Sequence, residues 1–210
     1  MSNNTGLYPS NGHRIHGRSS ESFIDARDII SRLDLDGNEV FMDAGCGDGH
    51  VAMEAHDIMD DEATIYALDI YEPSIVDLKK DLKDNGITNV IPLQSDIAGC
   101  IVLEDDTVDI CLLINVFHGF IARENSDEAI SELKRVIKPD GKIAVMDYKK
   151  MDTGYGPPFK FKIASHDLEK MFIKHGLKMV KLDNEVGEDL EHGCKSHYLA
   201  IFENSKIKNL

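Results

Sequence analysis

The chain has 210 residues, of which 42% are hydrophobic, and a net charge of −15. The length suits one domain with a full core, no apolar run is long enough to span a bilayer, and the acid excess disfavours a nucleic-acid partner, whose phosphates need clustered Lys and Arg. Four cysteines (Cys46, Cys100, Cys111 and Cys194) without a CxxC pair argue against a structural zinc site or a disulfide framework, leaving a reducing cytosol as the default compartment.

The opening stretch, MSNNTGLYPSNGHRIHGRSS, is polar and lacks the apolar segment of a secretory signal. It reads as a flexible arm or lid over residues 1–21, with a single domain over 22–210. SESFIDARDIISRL then places Phe23, Ile24, Ile29, Ile30 and Leu33 at helical spacing, with Ser20 as the expected N-cap. From there apolar runs rich in β-branched residues (EVFMD, TIYALD, NVIPLQ, VDICLLIN, KIAVMD) alternate with the helical segments HVAMEAHDIM, PSIVDLKKDLKDNG and SDEAISELKRVIKPDG. Pro73 fits a first helical turn and Gly86 a helix stop. Ser126 precedes two acids that suit a helix N-terminus, and Pro139 with Gly141 is expected to end that helix. Such alternation implies parallel strands in an open α/β sheet covered on both faces. Pro92 assigns its strand to an edge, because proline cannot donate to a ladder on both sides.

The last third changes character. GYGPPFKFKIAS is a loop, and SHDLEKMFIKHG is a helix with Ser165 as expected N-cap and Gly176 as stop. LKMVKLDNEV and KSHYLAIFE read as antiparallel strands.

The chemistry concentrates in VFMDAGCGDGH, Val40 to His50. Alternate glycines after a strand let the backbone turn tightly and let a ligand approach without a Cβ in the way, while the following helix offers free N–H groups. The lysine of a P-loop is absent. A dinucleotide fingerprint would put a small residue where His50 stands. Asp69 ends the next strand about twenty residues later, where a carboxylate can accept hydrogen bonds from both hydroxyls of a ribose. The competing reading is a tight turn beside an ordinary strand-end acid. Cys46 lies in the loop and could be exposed, whereas Cys111 reads as core.

Taken together, VFMDAGCGDGH, YALDIYEPSI, SDIA, VDICLLINVFH and ELKRVIKPDGKIAVMDYKK resemble the successive motifs of class I S-adenosylmethionine (SAM)-dependent methyltransferases, from about Asp36 to the C-terminus. Within that family the chain is most similar to the group of the ubiquinone/menaquinone-biosynthesis enzymes (methyltransferase type 11). The resemblance implies a doubly wound, mostly parallel seven-stranded sheet in the order 3-2-1-4-5-7-6, strand 7 antiparallel, with helices on both faces. It implies SAM as cofactor and S-adenosylhomocysteine as product. Asp43, Ala44 and the backbone of Gly45, Cys46, Gly47, Asp48 and Gly49 would hold the methionine moiety, and Asp69 the ribose. Ile70 would pack on the adenine and Asp96, with Ile97, would meet its amine. Asn115 and Val116 would sit beside the sulfonium. Ile70 as plain core and Asp96 as a cap remain the alternatives.

Methyl transfer from a sulfonium is an in-line displacement, so the protein chiefly aligns the nucleophile and removes its proton. His118, just after the fourth strand, is the titratable group of that stretch and could be a general base, bind substrate, or merely orient the loop. Related sequences often have His-Glu here; this chain has Gly119. The Asn/Asp-Pro-Pro-aromatic tetrad of base-modifying relatives is absent. Tyr148, Lys149 and Lys150 follow the fifth strand and could meet an anionic acceptor. In the arm, His13, Arg14, His16 and Arg18 could close over a substrate, and Phe159 and Phe161 could wall a pocket or be core. The expected function is SAM-dependent methyl transfer to a small molecule, without a metal, as a monomer or homodimer. The competing readings are a non-catalytic SAM sensor and an NAD-linked oxidoreductase, which His50 argues against.

Overall fold

The computed structural model describes residues 24–190 and 193–205. In chain order the elements are α1 (Ala26–Ser31), β1 (Val40–Ala44), α2 (His50–Ile58), β2 (Thr64–Asp69), α3 (Glu72–Asn85), β3 (Val90–Gln94) and β4 (Val108–Ile114). They continue with α4 (Phe117–Arg123), α5 (Ser126–Val136), β5 (Ile137–Tyr148), α6 (Ser165–Lys174), β6 (Leu177–Asp189) and β7 (Lys195–Asn204).

The strands form one seven-stranded sheet in the order β3-β2-β1-β4-β5-β7-β6. β1 to β5 run parallel, whereas β7 is antiparallel to β5 and to β6. Side chains alternate between two cores because successive strand residues face opposite ways. Phe41 packs with α1, α2 and α3 through Ile29, Ala55 and Leu78. Met42 and Ala44 pack with α4, α5 and α6 through Phe117, Leu133 and Phe172. Both faces are therefore covered, as near-continuous apolar strands require. Pro92 pairs with Ala67 on β3, which is an edge strand as its proline demands.

Several boundaries differ from the sequence expectation. The first helix begins at Ala26, capped by Asp25, whose Oδ1 accepts from the Asp28 N–H at 3.0 Å; Ser20 lies outside the described residues, as do residues 1–21 of the expected arm. α6 starts at Ser165 itself, with Ala164 as an N-cap that offers no side chain. α5 stops at Val136, before Pro139 and Gly141, which belong to β5. Ile137 already pairs with Val108, and the next pair is Ile110 with Lys142. The intervening residues bulge out opposite Asp109, and an exposed proline is tolerated in such a bulge. α4, in the stretch read as a loop, is an additional helix held by Phe117 and Phe120 in the core.

Candidate functional site

The strand order reverses direction between β1 and β4, so a crevice opens beyond their carboxyl ends. The glycine loop enters it from β1. Gly45, Gly47 and Gly49 all have positive φ (89°, 56° and 88°), a region that residues with a Cβ seldom adopt. Gly45 is also sterically required. A Cβ there would stand 2.4 Å from Cγ2 of Val116, so the loop abuts the end of β4 directly. At Gly49 a Cβ would meet Leu78 of α3 at 2.6 Å. The amides of Gly45 and Cys46 both donate to the Leu68 carbonyl, at 2.7 and 2.8 Å, which ties the loop to β2. Cys46 is buried at 7% exposure, not exposed as the sequence allowed, because its side chain packs into the core that α1, α2 and α3 share.

Asp69 closes β2 with both oxygens on loop amides. Oδ2 accepts from the Gly47 N–H at 2.9 Å and Oδ1 from the Tyr71 N–H at 2.8 Å. Each carboxylate oxygen has a second lone pair, so the group keeps acceptor capacity for a diol. Asp43, one residue before the end of β1, is 2% exposed, and its Oδ2 has no hydrogen-bond partner. Burial, followed by the charge of Asp69, raises its pKa to about 8; the Ala52 N–H offsets part of this and Asp48 adds to it. Among the described residues no Lys or Arg pairs with Asp43, Asp48 or Asp69. A desolvated carboxyl among like charges favours a cationic ligand and repels a polyphosphate.

The opposite lip is built from β4, β5 and β7. Asn115 leaves β4 with φ 58° and donates its amide to the Met146 carbonyl at 2.9 Å. His118, in the first turn of α4, is 8% exposed and meets Asp147, the penultimate residue of β5. Nδ1 lies 3.0 and 3.2 Å from the two carboxylate oxygens, and the His118 backbone N–H donates to Oδ2 at 2.9 Å. Asp147 is 1% exposed. Burial pushes its pKa up, but the charge of His118, the ring hydrogen bond and the backbone N–H groups of His118 and Tyr148 bring it below the ordinary value. An ionised acid on Nδ1 holds that proton and leaves the lone pair of a neutral ring on Nε2, the tautomer a general base needs.

Aromatic rings continue the lip. The Tyr148 ring stands 4.1 Å from that of His197 and 6.2 Å from those of His118 and Tyr155. The segment after β5 folds back over Tyr148: a Cβ on Gly156 would lie 2.6 Å from its ring. Lys162, 3% exposed, sets that fold. Its ammonium donates to the Met151 carbonyl at 3.1 Å, the Thr153 hydroxyl at 2.6 Å and the Tyr155 carbonyl at 3.2 Å, so all three protons are used.

The remaining sequence-derived residues divide. Ile70 is half-buried beside Asp69. Asp96 is exposed and caps its own turn, with Oδ1 accepting from the Ala98 N–H at 3.1 Å; no helix follows it. Ile97 is buried in the α4–α6 core. Lys150 is exposed and lies over the exposed Phe159 ring, whereas Phe161 is buried. Lys149 donates to the Asn184 carbonyl at 2.7 Å. His13 and His16 lie outside the described residues. The sequence reading missed Asp147, Ser196, His197 and Lys162. Alternation along IAVMD put Asp147 on an inward face, which was the available signal; the others are joined to the site only by long-range contacts.

A family model described as a methyltransferase domain matches residues 35–206. A curated relative, an uncharacterised methyltransferase-like protein of Schizosaccharomyces pombe, is 29% identical over 125 residues, 60% of this chain and 44% of its own length. The aligned part thus spans less than half of that protein. Among solved structures, a SAM-dependent methyltransferase of Aquifex aeolicus superposes with a TM-score of 0.75 at 21% identity, covering 93% of this chain and 98% of that one. A protein assigned as a type 11 methyltransferase from Sulfolobus solfataricus gives 0.69 at 22% identity, with 89% and 96% covered. The [4+2]-cyclase SpnF gives 0.67 at 16% identity, with 85% and 79% covered, so this fold also carries other chemistry.

Proposed function

The chain belongs to the methyltransferase-domain family, and from that premise we propose that it transfers a methyl group from SAM to a small-molecule acceptor. The observation that carries the reading is the orphaned Oδ2 of Asp43, buried among carboxylates at the mouth of the glycine loop. SAM is a nucleoside bearing an ammonium and a sulfonium against one carboxylate, so it brings the net positive charge that such a site lacks. A nicotinamide dinucleotide would bring a pyrophosphate to the same three acids. Asp43 and the backbone of Ala44 to Gly49 hold the methionine end, Asp69 takes the ribose, and Ile70, Asp96 and Ile97 border the adenine. Asn115 and Val116 face the reacting end.

Bound SAM supplies the activated methyl group. The protein supplies alignment and a proton acceptor. The His118–Asp147 pair takes the proton as the nucleophile forms its new bond, so the acceptor is a protonated nucleophile: a hydroxyl, amine, thiol or acidic carbon. Tyr148 and Lys150 stand on the acceptor side, and a substrate role for His13 and His16 is part of the same proposal. The resemblance of the sequence motifs favours the quinone-biosynthesis-like subgroup, and the acid excess disfavours nucleic acid. No helix among the described residues is long and apolar enough to cross a membrane; a cytoplasmic location is part of this proposal.

Calorimetric titration tests it. SAM should bind, Asp69→Ala should weaken that binding about a hundredfold by removing charge-assisted hydrogen bonds, and NADH should give no heat. Heat with NADH alone overturns the reading. If SAM binds but no label passes from it to any component of a metabolite extract, the protein is a SAM sensor.

A further inference from the structure

Asn115 has its side chain carried across the end of β5 to β7. Its Oδ1 lies 3.0 Å from Nε2 of His197, a fully buried ring that pairs with Tyr148 in the sheet register. His197 is held on its other side as well: Nδ1 lies 2.7 Å from the Ser196 hydroxyl, which accepts the Glu188 N–H at 2.9 Å. Room for the ring comes from Gly187, where a Cβ would stand 2.3 Å from Nδ1.

The order of protons along this chain decides what Asn115 presents. Burial lowers the His197 pKa to about 4; the charge of Asp147 opposes this and those of His118, Lys162 and Lys149 add to it, so the ring carries a single proton at neutral pH. Two orders satisfy the atoms. In one, Ser196 donates to Nδ1 and Nε2–H donates to Oδ1 of Asn115. In the other, Nδ1–H donates to Ser196, Ser196 donates to Tyr155, and the Asn115 amide is turned over. Oδ1, which can only accept, is the Asn115 atom that stands 3.0 Å from Nε2, and a 2.7 Å separation on the other side of the ring suits a hydroxyl donor. The first order follows. Planarity of the amide then puts Nδ2 away from His197, and this NH2 makes no hydrogen bond among the described residues. It sits three positions before the His118–Asp147 pair.

We propose that His197 is a positioning residue: it fixes the Asn115 carboxamide with Oδ1 toward the imidazole, so that the NH2 is offered to an acceptor molecule carrying a carbonyl or phenol-type oxygen. Asn115 thereby acts on the acceptor at the reacting end. The inference rests on the methyltransferase reading for its ligand, but the proton order does not depend on that reading.

The test is NMR on the full chain labelled in histidine and asparagine nitrogens. Between about pH 6 and 8, well above the lowered pKa of this ring, His197 should show a protonated Nε2 and a bare Nδ1. The opposite tautomer overturns the proposal. His197→Phe should move the Asn115 NH2 resonances to those of a free amide, and His197→Gln, which can still donate to Oδ1, should restore them. Unmoved resonances in a His197→Phe protein that melts cooperatively overturn the positioning role; if that variant does not fold, the wild-type tautomer still decides. With S-adenosylhomocysteine bound, p-nitrophenolate, an oxyanion without a proton to give, should shift the Asn115 NH2 pair, and a flat titration removes the acceptor half. Failure of SAM to bind would sink the methyltransferase reading and leave the tautomer result standing.

Discussion

The two lips of the crevice satisfy their polar groups in opposite ways. On the β1–β2 lip, Asp43 is buried with an oxygen unpaired and carboxylates for neighbours. On the β4–β5–β7 lip, His118 is paired with Asp147 and His197 with Ser196 and Asn115, all within the chain. One side is finished only by a ligand, whereas on the other both imidazoles are oriented before any ligand arrives. This division matches the chemistry: a cation already activated must be captured, whereas a proton acceptor must be oriented in advance.

The contrast is broken most severely at His118. Alanine there should cut turnover by roughly 10² to 10⁴, the range typical of general acid–base groups, while SAM affinity by calorimetry stays within about threefold. Equal losses in both would mean that the histidine only supports the fold. Asp147→Asn should give a smaller loss and displace the pH–rate profile, because an amide cannot hold the Nδ1 proton as an anion does.

Asp43→Asn sharpens the comparison from the other lip. With its pKa raised from 3.8 to about 8, the folded protein binds more protons than the unfolded chain between those values. Stability therefore falls as pH rises through that window, and the penalty is fully present above pH 8. Removing the carboxyl should stabilise the ligand-free protein at pH 8 by a few kcal/mol, on the order set by 1.36 kcal/mol per unit, while SAM affinity drops. Stabilisation without loss of affinity would contradict the role given to Asp43.

Gly45→Ala tests the contact between the lips. Both the positive φ and the collision with Val116 oppose a Cβ, so unfolding should be about 1–3 kcal/mol easier in denaturant melts. The smallest effect concerns pH. His197, lowered from 6.5 to about 4, charges more readily in the unfolded chain. Stability should fall as pH drops below 6.5 and keep falling toward 4, and His197→Gln should flatten that slope. An unchanged slope would mean that burial does not hold this ring's pKa below its ordinary value.

The same division separates the residues that the amino-acid sequence reveals from those it hides. The glycine loop, Asp43 and Asp69 lie within thirty residues, and a strand–turn–helix–strand unit brings them together whatever the rest does. Pro92 at the edge is legible for a similar local reason, whereas the strand order follows from the family resemblance. His118 is visible as a titratable group, but its partner stands 29 residues on in another strand, and the Asn115–His197 bond spans 82. Such pairs exist only once β4, β5 and β7 are side by side. The end of α5 is misjudged from sequence because a bulged strand start with Pro139 and Gly141 looks locally like a helix stop.

Lys162 has a consequence for how this protein can diversify. Residues following strands are where relatives of a common scaffold exchange acceptor preference, yet here the stretch from Met151 to Tyr155 is wound about one ammonium that belongs to the next segment. A graft that replaces the winding and keeps the lysine would strand a cation in the interior. A graft that takes both would travel intact, so variation at this wall should come in whole cassettes ending at Lys162.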